Sequence, residues 1–369
     1  MAVRIYALLA CVAILATGCS SSSQPVGGAG VVPSIAEASA PRVTPLGKYI
    51  KHVVIIIQEN RTFSNVFNGF PGADTVTKAK NSKGQTVQLR ETPFVTNFNQ
   101  DMIHNFAQAV TAWDNGKMDK FDETPFDDGQ PAGSFAFSYL PRNEVTPYWS
   151  LAQQYVLADH LFPMEFGPSF TSHLALIAGN DNIGKNVAEA NYPFSEPWGC
   201  DAQFPSATTT VNADRVLSFN GPHACFTQFK TLANVLDAGH VPWHYYAPPV
   251  SYSNGGQLWS TFDAIKAVRY GPDWANVLSP QTRILTDAQS GKLASMNWVV
   301  PDWADSDHPA ANSDTGPSWV SSVVNAIGKG PDWKSTVVFV IWDDWGGWYD
   351  NVAPPQRDFR GNGMRVPLI

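Results

Sequence analysis

Two short runs of β-branched and aromatic residues constrain the fold more than anything else in the chain. Val337-Val338-Phe339-Val340-Ile341-Trp342 and His52-Val53-Val54-Ile55-Ile56-Ile57-Gln58 are almost continuously apolar and too short for helices. That pattern is expected of strands buried on both faces, as inside a parallel sheet. The first runs straight into Asp343-Asp344-Trp345-Gly346-Gly347-Trp348-Tyr349-Asp350, the second into Glu59-Asn60-Arg61. In open α/β sheets ligands bind beyond the carboxyl ends of the strands, and parallel strands share that edge. Acids delivered there by two strands are candidates for holding a cation or moving a proton, although an Asp-Gly cluster taken singly is also an ordinary turn.

Further strand-like runs at 241–246 and 296–300 alternate with helical patterns at 101–114, 148–159, 231–239, 258–269 and 319–327. This alternation predicts an α/β fold with a mostly parallel central sheet. The polar section 75–96 reads as a surface excursion with a hairpin. With 369 residues, 44% of them hydrophobic, the chain can bury a large core. A net charge of -8 argues against a nucleic-acid partner held by phosphate neutralisation. The 13 Trp and 28 Pro suggest ordered, aromatic-rich loops, which either line a cleft or simply pack.

Three isolated residues have two readings each. Ser169 follows Gly167-Pro168 and opens an apolar stretch that Gly179 stops. It is either an N-cap or a nucleophile placed where helix N–H groups favour an anion. His104, in the helical pattern 101–114, is structural or projects into a site. His308, in the loop Asp305-Ser306-Asp307-His308-Pro309, is a solvated loop residue or a catalytic base.

The amino terminus carries Arg4, an apolar run over 5–16 and then Thr17-Gly18-Cys19, a secretion signal too short to span a membrane. It resembles a bacterial lipoprotein cleavage site. Residues 1–19 are then the signal, Cys19 the lipidated first residue, and 20–45 a Gly/Pro/Ser/Ala-rich tether. The expected location is exported, anchored to a membrane without crossing it, in the periplasm or at the cell surface. With Cys11 and Cys19 set aside, Cys200 and Cys225 remain, and an exported protein most simply pairs them.

Read together, Ile57-Gln58-Glu59-Asn60-Arg61-Thr62-Phe63, Gly167-Pro168-Ser169, Ser306-Asp307-His308-Pro309 and the Asp343–Asp350 motif resemble the bacterial phosphoesterase family of phospholipase C and acid phosphatase enzymes. The resemblance implies an alkaline-phosphatase-like α/β/α sandwich over 46–369, acting on phosphate esters. It makes Ser169 the nucleophile, and Glu59, Asn60, Asp343 and Asp344 the holders of a cation that also meets the Ser169 oxygen. His308 and His104 would bind phosphate or protonate the leaving group, with Asp344 also in the chemistry. Hard oxygen ligands point to Ca²⁺, Mg²⁺ or Mn²⁺. Ser169 stands where the phospholipase branch usually has Thr, which tilts the expectation toward phosphomonoesters. Asn351 replaces a frequent His, and Thr171-Ser172 replace the usual Pro-Asn. The sequence stops at what resembles the start of the family's next strand, so the domain is expected to continue past Ile369. The alternative is a surface lipoprotein of the same fold that binds a ligand without turnover.

Overall fold

The computed structural model describes residues 45–369 except 97–99, 252 and 254, so Cys19 and residues 20–44 of the expected tether lie outside the described residues. The two apolar runs become neighbours. β1 (His52–Gln58) lies parallel to Thr336–Trp342, from His52 opposite Thr336 to Gln58 opposite Trp342. The described residues build a seven-stranded sheet around this pair. Its other members are β2 (Ala158–Leu161), β3 (Trp243–Tyr246), β4 (Val277–Leu278) and β5 (Met296–Val299), then Thr336–Trp342 as β6, and β7 (Val366–Leu368). The order is β4-β3-β5-β1-β6-β7-β2, and every pairing is parallel except those made by β7.

The main helices are, in chain order, α1 (Phe63–Phe67), α2 (Phe106–Trp113), α3 (Thr146–Gln154), α4 (Ser169–Ala178), α5 (Leu232–Ala238), α6 (Arg283–Gln289) and α7 (Gly316–Lys329), and all but α2 cover the two faces of this sheet. The period-2 alternation of a strand divides β1 between two cores. Val54 and Ile56 pack with Tyr148 and Trp149 of α3 and with Val320 and Val323 of α7. Ile57 packs with Phe170, Leu174 and Ile177 of α4, and Val53 and Ile55 border the same cluster. The result is the α/β/α arrangement expected. Truncating a side chain as deeply buried as Ile56 is expected to cost about 2–5 kcal/mol. A third cluster, including Met102, Phe106, Phe166, Trp345 and Trp348, lies under the loops around the carboxyl end of β6.

Several helices are shorter than their patterns. In 101–114, Met102 is held in a bridge to Phe126, and the helix begins only at Phe106, where the Asn105 side chain accepts from Gln108 N–H. His104 therefore sits in the turn ahead of the helix. The pattern at 148–159 splits into α3 and the strand β2. The stretch 258–269 breaks into helical pieces at Gly256–Trp259, Thr261–Ala264 and Lys266–Arg269, because Ser260 is non-helical (φ -76°, ψ 63°). Lys78–Lys80 and Thr86–Gln88 form the anticipated hairpin. Cys200 and Cys225 are joined in a disulfide that closes a 25-residue separation.

β7 meets β6 only near Ile341 and Val340, leaving 336–339 without a strand neighbour on that side among the described residues. An apolar groove of about 500 Å³ lies there, lined by Tyr155, Val156, Trp333, Val338, Phe339 and Ile369. It runs along the amino-terminal part of β6, so the larger cavity is not the one carrying the acids. Among the described residues no helix is long and apolar enough to cross a membrane.

Candidate active site

β1 and β6 end side by side. Asp343 N–H donates to the Gln58 carbonyl oxygen at 3.0 Å, and past this point the two chains remain in contact. Asn60 takes a left-handed conformation, φ 55°, which Asn tolerates better than most residues. Its N–H donates to Asp343 Oδ1 at 2.8 Å, and Asp344 N–H donates to the same oxygen at 2.7 Å. One oxygen of Asp343 thus ties the turn, while Oδ2 is buried without a hydrogen-bond partner. Gly346 has φ 59°, and a Cβ there would run into the Asn60 carbonyl. The close approach of the two strand ends therefore demands glycine.

Ser169 arrives from the other direction, as the first residue of α4. Pro168 holds the N-cap position and no side chain caps this helix. The buried Ser169 hydroxyl instead donates to Asp344 Oδ2 at 3.2 Å and accepts from Asn60 Nδ2 at 3.1 Å. Asn60 Nδ2 lies 3.1 Å from each Asp344 oxygen and 2.8 Å from His104 Nε2. His104 Nδ1 is 2.6 Å from the Met102 carbonyl oxygen, which only accepts, so Nδ1 carries the proton and Nε2 offers its lone pair to Asn60. His308 has the opposite tautomer. Its Nδ1 accepts from Ala310 N–H at 3.2 Å, which leaves Nε2–H as the donor.

The rings of His104 and His308 lie 5.7 Å apart, and with Ser169 they line a cavity of about 240 Å³. Its walls are aromatic. Trp259 stacks on Trp303 at 5.5 Å, Trp303 lies 4.7 Å from the His308 ring, and Tyr192 stacks on Trp198 at 5.2 Å. The His308 loop is pinned through Asp307. That carboxylate accepts from Tyr148 OH at 2.9 Å and from Trp342 Nε1 at 2.9 Å, and the Asp307 carbonyl accepts from Arg61 Nε at 2.7 Å.

Burial dominates the electrostatics. It pushes Glu59 up to about 8, and the charge of Asp344 adds to this. Asp343 also rises to about 8, by burial and then the Glu59 charge, and Asp344 to about 7, by burial and then Asp343. Burial works against a charged His104, but Asp344 and Asp101 outweigh it and hold the imidazole above its ordinary value. Burial keeps His308 well below its ordinary value, so that ring is neutral.

His173, one turn after Ser169 on α4, points Nε2 at Glu59 Oε1 (2.8 Å) and Asp343 Oδ2 (3.7 Å). Ligand atoms of Glu59, His173 and Asp343 all lie within 4.8 Å of one another. Glu59 Oε2, Asn60 Oδ1 and Asp343 Oδ2 are buried without partners. Unpaired buried oxygens among crowded carboxylates fit a divalent cation, which would satisfy them together.

The structure brings Glu59, Asn60, Ser169, Asp343, Asp344, His104 and His308 to one place. The sequence reading overlooked His173, although its position four residues after Ser169 puts it on the same helix face. It also overlooked the aromatic wall, whose residues are scattered from 192 to 303 with no local signal. Asn351 is occupied elsewhere: it accepts from Ser64 Oγ at 2.9 Å and from Arg365 Nη2 at 3.1 Å, and donates to Asp74 at 2.9 Å. Its departure from the usual His therefore falls in a structural network around buried Arg365.

A parallel sheet carrying acids, a buried hydroxyl and two imidazoles at its carboxyl edge defines an α/β protein with an enzyme-like polar cavity. The chain belongs to the Phosphoesterase family, whose model matches residues 50–369. It is 23% identical over 348 residues to the non-hemolytic phospholipase C of Burkholderia pseudomallei, covering 85% of this chain and 47% of that protein. It is 22% identical over 340 residues to the hemolytic phospholipase C of Pseudomonas aeruginosa, covering 84% of this chain and 44% of that protein. Phospholipase C A of Mycobacterium tuberculosis is 23% identical over 352 residues, with 83% of this chain and 60% of that protein covered. The chain thus spans about half the length of these relatives.

Proposed function

We propose that the protein hydrolyses phosphoric esters through a covalent intermediate on Ser169. The observation that carries this reading is the Ser169 hydroxyl itself, which is turned away from helix capping and donates to Asp344 Oδ2 at 3.2 Å. Ser169 Oγ attacks phosphorus and its proton passes to Asp344. The bond from phosphorus to the ester oxygen breaks, the neutral His308 donates a hydrogen bond from Nε2–H to the departing oxygen, and the alkoxide takes its proton from solvent. The Asn60 amide and His104, in the protonated form that Asp344 and Asp101 favour, stabilise the phosphoryl oxygens. Water then attacks the phosphoserine and gives up a proton to solvent, releasing phosphate or a phosphomonoester, while Asp344 returns to Ser169 the proton it took. Glu59, Asn60, Asp343 and Asp344 would hold a divalent cation, which when bound supplies neutralising charge to the phosphoryl group.

The organic part of the ester lies against Trp259, Trp303, Trp198 and Tyr192, in a cavity larger than phosphate alone requires. Ser169 in the nucleophile position favours a phosphomonoester, and the names of the relatives favour a phospholipid diester. Hydrolysis of p-nitrophenyl phosphate and of phosphatidylcholine, each with and without chelator, separates the two. Ser169→Ala is expected to abolish turnover and acid-stable phosphoserine while leaving the circular dichroism spectrum unchanged. Wild-type turnover in that variant would remove Ser169 from the reaction. The same reading makes the protein exported and lipid-anchored at Cys19, supported by the signal-like amino terminus and by a disulfide suited to an oxidising compartment.

A further inference from the structure

We infer that His173 is a nitrogen ligand of the metal centre, so that Glu59, Asp343 and His173 form a mixed nitrogen–oxygen site for a first-row transition ion rather than for Ca²⁺ or Mg²⁺. The inference rests on the reading above that Glu59 and Asp343 hold a cation. It revises the all-oxygen donor set that the sequence motifs suggest.

The geometry points this way because His173 faces two carboxylates and not one. Its ring is 1% exposed, with Nε2 2.8 Å from Glu59 Oε1 and 3.7 Å from Asp343 Oδ2. Donors that share an ion at about 2.1 Å stand about 3.0 Å apart at a right angle and about 3.4 Å apart in a tetrahedron. The two observed separations bracket those values. A ring serving only as a hydrogen-bond donor to Glu59 would have no need to lie this near a second acid whose Oδ2 is buried and unpartnered. Ca²⁺ collects six to eight oxygens at about 2.3–2.6 Å, and Mg²⁺ keeps several of its waters. Imidazole suits the first-row transition ions instead. His173 is also anchored to the reaction by its helix, since Ser169 lies one turn earlier on α4.

The test uses the full chain, stripped with chelator and reloaded with Mn²⁺, in electron spin-echo modulation spectroscopy, which detects directly bonded nitrogen. Nitrogen modulation is expected in the wild type, and it should change when ¹⁵N-histidine is incorporated. It should persist in His104→Ala and vanish in His173→Gln. In competition against a fluorescent chelator, Zn²⁺ should bind well ahead of Ca²⁺, and His173→Gln should narrow that gap by about 10–100-fold. Should His173→Gln fail to fold, the wild-type spectrum with and without ¹⁵N-histidine still decides. Mn²⁺ bound through oxygen alone, or an unchanged ion preference in His173→Gln, overturns the assignment and leaves His173 a hydrogen-bond donor, with the cation reading intact. Absence of any bound ion in the wild type overturns both.

Discussion

At Ser169 the hydroxyl has two uses that local sequence cannot rank, because a serine after Gly-Pro at the start of an apolar helix makes an equally good cap or nucleophile. The partner decides. Asp344, 175 residues away in the chain, accepts a hydrogen bond from the hydroxyl, and Pro168 occupies the cap position. Asp344→Asn replaces that acceptor with an amide that cannot take the proton, and kcat should fall by about 10²–10⁴-fold with little change in KM. Steady-state kinetics on whichever ester is turned over measures this, and a wild-type kcat would exclude Asp344 as the acceptor. The residue types at this site were legible because the strand ends announce themselves. His173 was not, because a histidine inside an apolar helix looks the same whether it faces carboxylates or a core.

At the scale of elements, what matters is that β1 and β6 stop at the same level and then touch. Gly346 is the contact point. Gly346→Ala puts a methyl group against the Asn60 carbonyl at a positive φ, with an expected loss of about 1–3 kcal/mol in chemical denaturation. Activity should drop further than stability alone accounts for, since Asn60 is displaced. A fully active, fully stable variant would show that the two strand ends tolerate separation. The disulfide acts on a different element, the loop between Cys200 and Cys225. Replacing both cysteines with serine should lower stability by about 3 kcal/mol in the chain-entropy model, while an unchanged denaturation midpoint would mean the loop is ordered without its crosslink. Strand positions were easy to read because continuous apolar runs have few alternative folds. Helix ends were harder, since Asn105 and Ser260 interrupt apolar periodicities through local hydrogen bonds and backbone turns that the pattern does not encode.

For the whole molecule, the buried acids link folding, ion and pH. Glu59 and Asp343 rise to about 8 and Asp344 to about 7 when folded, against about 4 for unfolded carboxyls. A raised acid binds more protons folded than unfolded, so its contribution is present below about pH 4 and lost as the pH climbs through the folded value. The chelated protein should therefore lose stability from these groups between about pH 4 and 8. A divalent ion displaces the same protons, so the difference in Tm between loaded and chelated protein should widen over that range. Thermal unfolding at a series of pH values reads the gap, and a constant gap would show that the acids are not coupled through burial.

The sequence by itself determined the α/β class, the central pair of strands, the edge at which the acids emerge and the pairing of the two cysteines, because burial on both faces and the polarity of strand ends are local properties of composition. Tertiary structure alone decided which way Ser169 points, which tautomers His104 and His308 hold, that His173 joins Glu59 and Asp343, and that four aromatic residues wall the cavity. Ser169 with Asp344, His173 with Glu59, and His104 with His308 each meet within about 3–6 Å across more than a hundred residues, and no spacing along a chain records such a meeting.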